Sequence, residues 1–220
     1  MKSIIIVWLL MVSTVFGSAF QIGSDIDGEA SNDYYGESVA LSSDGSIVAI
    51  GARYNDGNVG GFSGHVRLYE WDGSSWNQLG SDIDGEAQDD RSGTSVALSS
   101  DGFVVAIGAD GNDGNDSNSG HVRLYQWDGS SWNQLGSDID GEASGDNSGS
   151  SVALSSDGSI VAIGAPFNDG NGSLSGHVRL YQWDGSSWNQ LGNDIDGEAS
   201  SDYSGVSVAL SSDGSIVAIG

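Results

Sequence analysis

The residues with the most chemical potential in this chain are carboxylates at fixed spacing. Asp-Ile-Asp-Gly-Glu occurs at 25–29, 82–86, 138–142 and 194–198, and another acid follows eight positions after the first, at Asp33, Asp90, Asp146 and Asp202. Calcium (Ca2+) takes six to eight oxygen ligands, and Asp-x-Asp before a glycine supplies two carboxylates and a sharp turn. Asp82, Asp84, Glu86 and Asp90, and again Asp138, Asp140, Glu142 and Asp146, are therefore candidate ligands. An EF-hand-type loop wants three acidic or amide positions before its glycine, and this pattern has two. The rival reading is a turn between repeats, with Gly141 at positive φ and the acids solvated. A second oxygen-rich stretch holds Asp110, Asn112, Asp113 and Asp116, and keeps Asn55-Asp56-Gly57-Asn58 and Asn168-Asp169-Gly170-Asn171 in the neighbouring copies. Such clusters are ordinary turn chemistry, and they can also hold calcium.

Catalytic residue types are sparse. His65, His121 and His177 occupy equivalent positions in successive copies of one text, which points to a structural role at a strand start, with a hydrogen bond to the next unit. The tryptophans, such as Trp71 and Trp76, recur in the same way and read as packing groups. There is no cysteine and no Gly-x-Ser-x-Gly, so neither a thiol nor a nucleophile-elbow serine is available, and the chain is expected not to be an enzyme. Asn115-Asp-Ser117 and Asn171-Gly-Ser173 are glycosylation sequons in the oxygen-rich loop.

The elements that must position these residues are strands. SVALSSDGSIVAIG stands at 38–51, returns as SVALSSDGFVVAIG at 95–108, and recurs unaltered at 151–164 and 207–220. Two alternating apolar runs split by Asp-Gly are a hairpin signal. The whole text repeats with a period of 56 residues, as units 25–81 (one residue longer), 82–137, 138–193 and a partial 194–220. Units two and three agree at 45 of 56 positions, which points to duplication within the chain. Variation concentrates in the oxygen-rich loop and the run Gln88–Arg91, as contact loops or relaxed turns would both do. In unit three the pattern predicts four strands, Ser151–Ser155, Ser159–Ala165, His177–Trp183 and Ser187–Ile195, joined as consecutive hairpins. Val178 and Leu180 on one face and Tyr181 and Trp183 on the other require a sheet packed on both sides, as in a β-propeller blade. A parallel β-helix would need shorter coils without hairpin turns.

Composition bounds the partners. The formal net charge is −25, from 31 acidic and six basic residues, so nucleic acid is not expected as a partner. Residues 1–19 read as a signal peptide: Lys2, then the apolar run Ile4–Phe16, then the small residues Gly17-Ser18-Ala19. That run is thirteen residues against the roughly 20 a membrane span needs, so no stable membrane anchor is expected. Residues 20–220 form the repeat domain, which must fold without disulfides in a secreted, extracellular setting.

The run GDNSGSSVALSSDGSIVAIGAP at 145–166, followed by SGHVRLYQW at 175–183, resembles the FG-GAP repeat. The resemblance covers residues 25–220. It implies the propeller found in integrin α chains and many secreted proteins, and with it adhesion or recognition of an extracellular protein or glycan ligand. The Phe of Phe-Gly is replaced by Tyr35, Ser92, Ser148 and Ser204, and Gly-Ala-Pro is complete only at Gly164-Ala165-Pro166. The calcium loop that some FG-GAP propellers carry between their first two strands has no counterpart in Ser156-Asp157-Gly158-Ser159, so that site does not carry over. WD repeats are the nearest rival, with units of about 40–45 residues. The expectation is an all-β array of four-stranded antiparallel blades, about three and a half of a ring, with open blade edges through which copies self-associate. Two further readings stay open: an acidic coat or matrix protein that collects calcium, and the non-catalytic repeat region of a larger extracellular enzyme.

Overall fold

A computed structural model describes residues 21–57 and 59–220. The signal peptide read in residues 1–19 lies outside the described residues. The first blade contains β1 (Ser38–Leu41), β2 (Ile47–Ala52), β3 (His65–Trp71), β4 (Trp76–Gln78) and β5 (Ile83–Asp84). The second contains β6 (Ser95–Leu98), β7 (Val104–Ala109), β8 (His121–Trp127), β9 (Trp132–Gln134) and β10 (Ile139–Asp140). The third contains β11 (Ser151–Leu154), β12 (Ile160–Ala165), β13 (His177–Trp183), β14 (Trp188–Gln190) and β15 (Ile195–Asp196), and a last hairpin pairs β16 (Val208–Leu210) with β17 (Val217–Ile219). All pairings between these strands are antiparallel, and the array is open rather than closed.

Each blade is a meander in which the Asp-Gly turn closes the first hairpin. In that turn the Asp44 carboxylate accepts from the backbone N–H of Ser46 and the hydroxyls of Ser42 and Ser46. Those donors hold its acid group down to about 2. The first strands sit side by side along the array, β1 on β6, β6 on β11 and β11 on β16. Ser100 N–H donates to Ser156 O and Ser156 N–H to Ser212 O, both at 2.8 Å, so each turn is bonded to the next blade.

The core lies between blades. Ile47, Ala49, Val66, Leu68 and Ile83 of the first blade pack against Val105 and Ile107 of the second, and the same contact recurs between the second and third. In the first and second blades the second strand is buried along its whole length on both faces, as packing between neighbouring sheets demands. At about 1.5–3 kcal/mol per buried aliphatic side chain, these interfaces dominate the stability of a structure with no disulfide. Tryptophans complete the interface: Trp132 Nε1–H donates to Leu79 O of the preceding blade and Trp188 Nε1–H to Leu135 O, each at 2.8 Å.

The outermost strand differs from the sequence expectation. Instead of one strand over Ser187–Ile195, β14 pairs with the end of β13 and β15 with its start. Between them the outer strand carries two extra residues, a bulge at Gly192–Asp194. In the equivalent bulge of the first blade, Gly80 adopts φ 80° and lies against the rings of Trp127 and Trp132. A side chain there would strike the inter-blade tryptophans, so the bulge is imposed by packing of the next blade, which a strand pattern does not reveal.

Candidate functional site

Period-two alternation in His-Val-Arg-Leu-Tyr puts His65, Arg67 and Tyr69 on one face of β3 and Val66 and Leu68 on the core face. The bulge after β4 returns Asp82 toward that first face, and the segment before the blade brings Glu29 to it. Glu29, His65 and Asp82 offer ligand atoms within 4.8 Å of one another, and Glu86/His121/Asp138 and Glu142/His177/Asp194 repeat the arrangement. One cluster therefore draws its glutamate from one Asp-Ile-Asp-Gly-Glu copy and its aspartate from the next.

A guanidinium stands beside each cluster. Arg67 forms a two-pronged pair with Asp82, Nε to Oδ1 at 3.0 Å and a terminal nitrogen to Oδ2 at 2.8 Å, and also contacts Glu29. Gln78 Nε2–H donates to Asp82 Oδ1 at 2.6 Å. Arg123 contacts Glu86 and lies 3.6 Å from Asp138, while Arg179 lies 3.4 Å from Glu142 and donates to the Asp140 carbonyl at 2.7 Å. These arginines escaped the sequence reading, although their place two residues after each histidine put them on the same face. His65, His121 and His177 are buried, and burial holds their imidazoles below the ordinary value of 6.5. Their Nδ1 atoms stand 3.7–3.9 Å from Asp82, Asp138 and Asp194, beyond hydrogen-bond distance, in place of the expected bond to the next blade.

The structure divides the candidate calcium residues. Asp82 and Asp84 line the first cleft, of about 740 Å3, with Glu29, Asp33, Asn55 and Asp56. Glu86 and Asp90 belong one blade on: Asp90 accepts from the backbone N–H of Ala87 at 2.8 Å, and burial raises its carboxyl. Its side chain also takes a hydrogen bond from Asn112. Asp138 and Asp140 face His121, Asp140 lying across the ladder from it. Glu142 and Asp146 pass to the third blade, where Asn168 Nδ2–H donates to Asp146 at 2.8 Å. In the oxygen-rich loop, Asn112 Oδ1 accepts from Gly114 N–H, Asp113 from Asn118 N–H and Asp116 from Ser117 N–H. Asp110 lies apart, accepting from Thr94 Oγ1–H at 3.1 Å beside Arg91, with burial raising its carboxyl.

Two details of the turn reading change. Gly141 is not at positive φ; a Cβ there would collide with the Ser119 carbonyl oxygen, and Gly85 and Gly197 meet Ser63 and Ser175 in the same way. The acids are not simply solvated either, because guanidinium, amide and backbone donors hold most of them. The first aspartate and the glutamate of the pattern are thus paired with guanidinium groups of the chain itself, most fully in the first two clusters, and the arrangement works as an inter-blade clamp.

The loop positions that differ between units meet at the rim. Tyr34, Tyr54 and Phe62 form edge-on pairs with ring centroids 4.9 and 5.1 Å apart, and Arg53 lies 4.7 Å from the centroid of Tyr54. They border a cleft of about 490 Å3 that also includes Asn32, Asp89 and Arg91.

The family model described as FG-GAP repeat matches residues 25–69 and 138–181. Among solved structures, a provisionally named 6-phosphogluconolactonase from Bacteroides uniformis superposes with a TM-score of 0.54 at 12% identity. The match covers 83% of this chain and 46% of that one, so the chain spans about half its length, and the likeness is one of fold. No curated protein matches the chain. No helix among the described residues is long and apolar enough to cross a membrane.

Proposed function

We propose, on the premise that this chain is built of FG-GAP repeats, that it is a secreted, non-catalytic propeller module that binds an extracellular protein or glycan through its rim loops. The observation that carries this reading is the contrast between the two repeated surfaces. The Glu–His–Arg–Asp cluster recurs blade after blade with its arginine already paired, as a structural clamp does. The rim loops differ from unit to unit on an otherwise constant backbone, as binding loops on a rigid scaffold do. A catalytic group is normally unique and accessible, whereas these histidines are repeated, buried and held neutral near pH 7. Secretion rests on the leader read in residues 1–19.

The test is a binding screen of the secreted protein against cell surfaces, extracellular proteins and a glycan array, run beside assays for lactone hydrolysis. Saturable binding without turnover is the expected result; a blank screen, or turnover abolished by His121→Gln, overturns the reading. The acidic-coat alternative predicts saturable calcium uptake in the acid-lined clefts. Because the arginines already neutralise the glutamate and first aspartate, calorimetric titration is expected to give no calcium affinity tighter than roughly 10⁻³ M. A tighter site with a matching rise in Tm would favour the coat.

A further inference from the structure

We propose that the rim cleft between the first and second blades is a saccharide-binding site that takes an uncharged pyranose, with Tyr34 and Phe62 as its stacking surfaces. The inference locates, and rests on, the binding-module reading above. Tyr34 is 55% and Phe62 48% exposed, although both pack edge-on against Tyr54. Both also hold left-handed backbone, φ 56° and 55°, a conformation that favours glycine and asparagine over aromatic residues.

The second unit shows that the fold does not need these rings. In the second unit the positions equivalent to Tyr34, Tyr54 and Phe62 are Arg91, Gly111 and Asn118; the third unit has Asn147, Phe167 and Leu174 there, and the partial fourth has Tyr203 at the first of them. The same left-handed conformation persists there, φ 58° at Arg91, 48° at Asn118 and 53° at Asn147. The loop ladder persists too: Arg91 N–H donates to Phe62 O at 3.0 Å, and Asn147 N–H to Asn118 O at 3.1 Å. Where the repeat uses asparagine the backbone demand is met cheaply. Where it uses Tyr34 and Phe62, exposed rings are presented from strained backbone, the pattern expected of a contact surface.

The polar rim fixes the ligand class. Asn32, Asp89 and Arg91 surround the rings and can donate to and accept from hydroxyl groups while the apolar face of a sugar ring lies on the aromatics. Arg53 and Arg91 are the arginines outside the His-Val-Arg strands, and each already has a carboxylate, Glu37 at 2.9 Å and Asp110 at 3.8 Å. With no unmatched cation in the cleft and a chain charge of −25, acidic glycans are repelled and neutral ones are favoured.

The test uses the full chain and the double variant Tyr34→Asn/Phe62→Asn, which installs the asparagine found at the equivalent positions Asn147 and Asn118. A glycan array of neutral and acidic oligosaccharides is followed by calorimetry with the best neutral hit. The expected result is a neutral glycan bound by the parent and at least tenfold more weakly by the variant, whose Tm is unchanged or raised. Equal binding by the variant places the sugar elsewhere and overturns this site while leaving the binding-module reading intact. Binding confined to acidic glycans, or to proteins with a blank array, overturns the saccharide assignment; only a screen blank in every arm also removes the module reading.

Discussion

Each blade buries a histidine beside two carboxylates and an arginine, and the balance among them sets how the molecule responds to acid. Desolvation is the leading influence on His65, His121 and His177 and keeps the neutral imidazole favoured; in His65 and His177 the neighbouring arginine adds to it, and the carboxylates oppose it. A histidine whose folded value lies below its unfolded one leaves stability intact above about pH 6.5 and withdraws it as pH falls further, each tenfold loss of proton affinity on folding being worth about 1.4 kcal/mol. Asp90 and Asp110, raised by burial, work in the opposite sense and give up stability as pH rises through the carboxylate range. Thermal melts from pH 7.5 to 5.0 are therefore expected to fall more steeply for the parent than for His65→Gln/His121→Gln/His177→Gln. Parallel curves would remove the histidines from the account. Arg123→Ala leaves Glu86 and Asp138 without their guanidinium and is expected to cost about 1–3 kcal/mol in denaturant melts, below the full buried-pair penalty because Glu86 is half exposed.

At the scale of the strand and turn, glycines mark where chains approach, and they do so for two separable reasons. Gly141 lies outside the left-handed region, yet a Cβ there would run into the Ser119 carbonyl; Gly129 sits at φ 97° with open space around it. Gly141→Ala is thus expected to cost about 2–3 kcal/mol through backbone displacement, and Gly129→Ala about 1 kcal/mol through conformation alone. The reverse order in urea melts would mean that the Ser119 loop yields freely. The hairpins, the period and the histidine-bearing strand were legible in sequence because alternation and Asp-Gly are local. The broken outer strand was not, since the tryptophans that force the bulge at Gly80 belong to the following repeat.

Across the whole molecule, stability is a sum over blades and the interfaces between them. The second blade is covered on both faces, whereas Val39 and Leu41 are each 61% exposed on the first and Ile216 is 68% exposed on the last hairpin. Hydrogen exchange is expected to be slowest in β7 and β8 and fastest in β16 and β17; uniform protection would indicate a single cooperative unit instead. The isolated 220-residue chain is expected to self-associate through the open faces as concentration rises in light scattering. A monomer at all concentrations would mean that those faces find cover within the chain.

The amino-acid sequence by itself determined the repeat, its 56-residue period, the all-β blade and the resemblance to FG-GAP repeats, because each depends on contacts a few residues apart or on identity between copies. The tertiary structure decided what the acids do. Asp82, Asp84, Glu86 and Asp90 read as one ligand set along the chain, but the segment crosses between blades, so its first half joins one cluster and its second half the next. Only the packing of blade on blade brings Arg123 to Glu86 and Arg179 to Glu142, and only it adds Asp89 and Arg91 of the second unit to the cleft of Tyr34, Tyr54 and Phe62, since residues far apart in sequence must first be placed side by side.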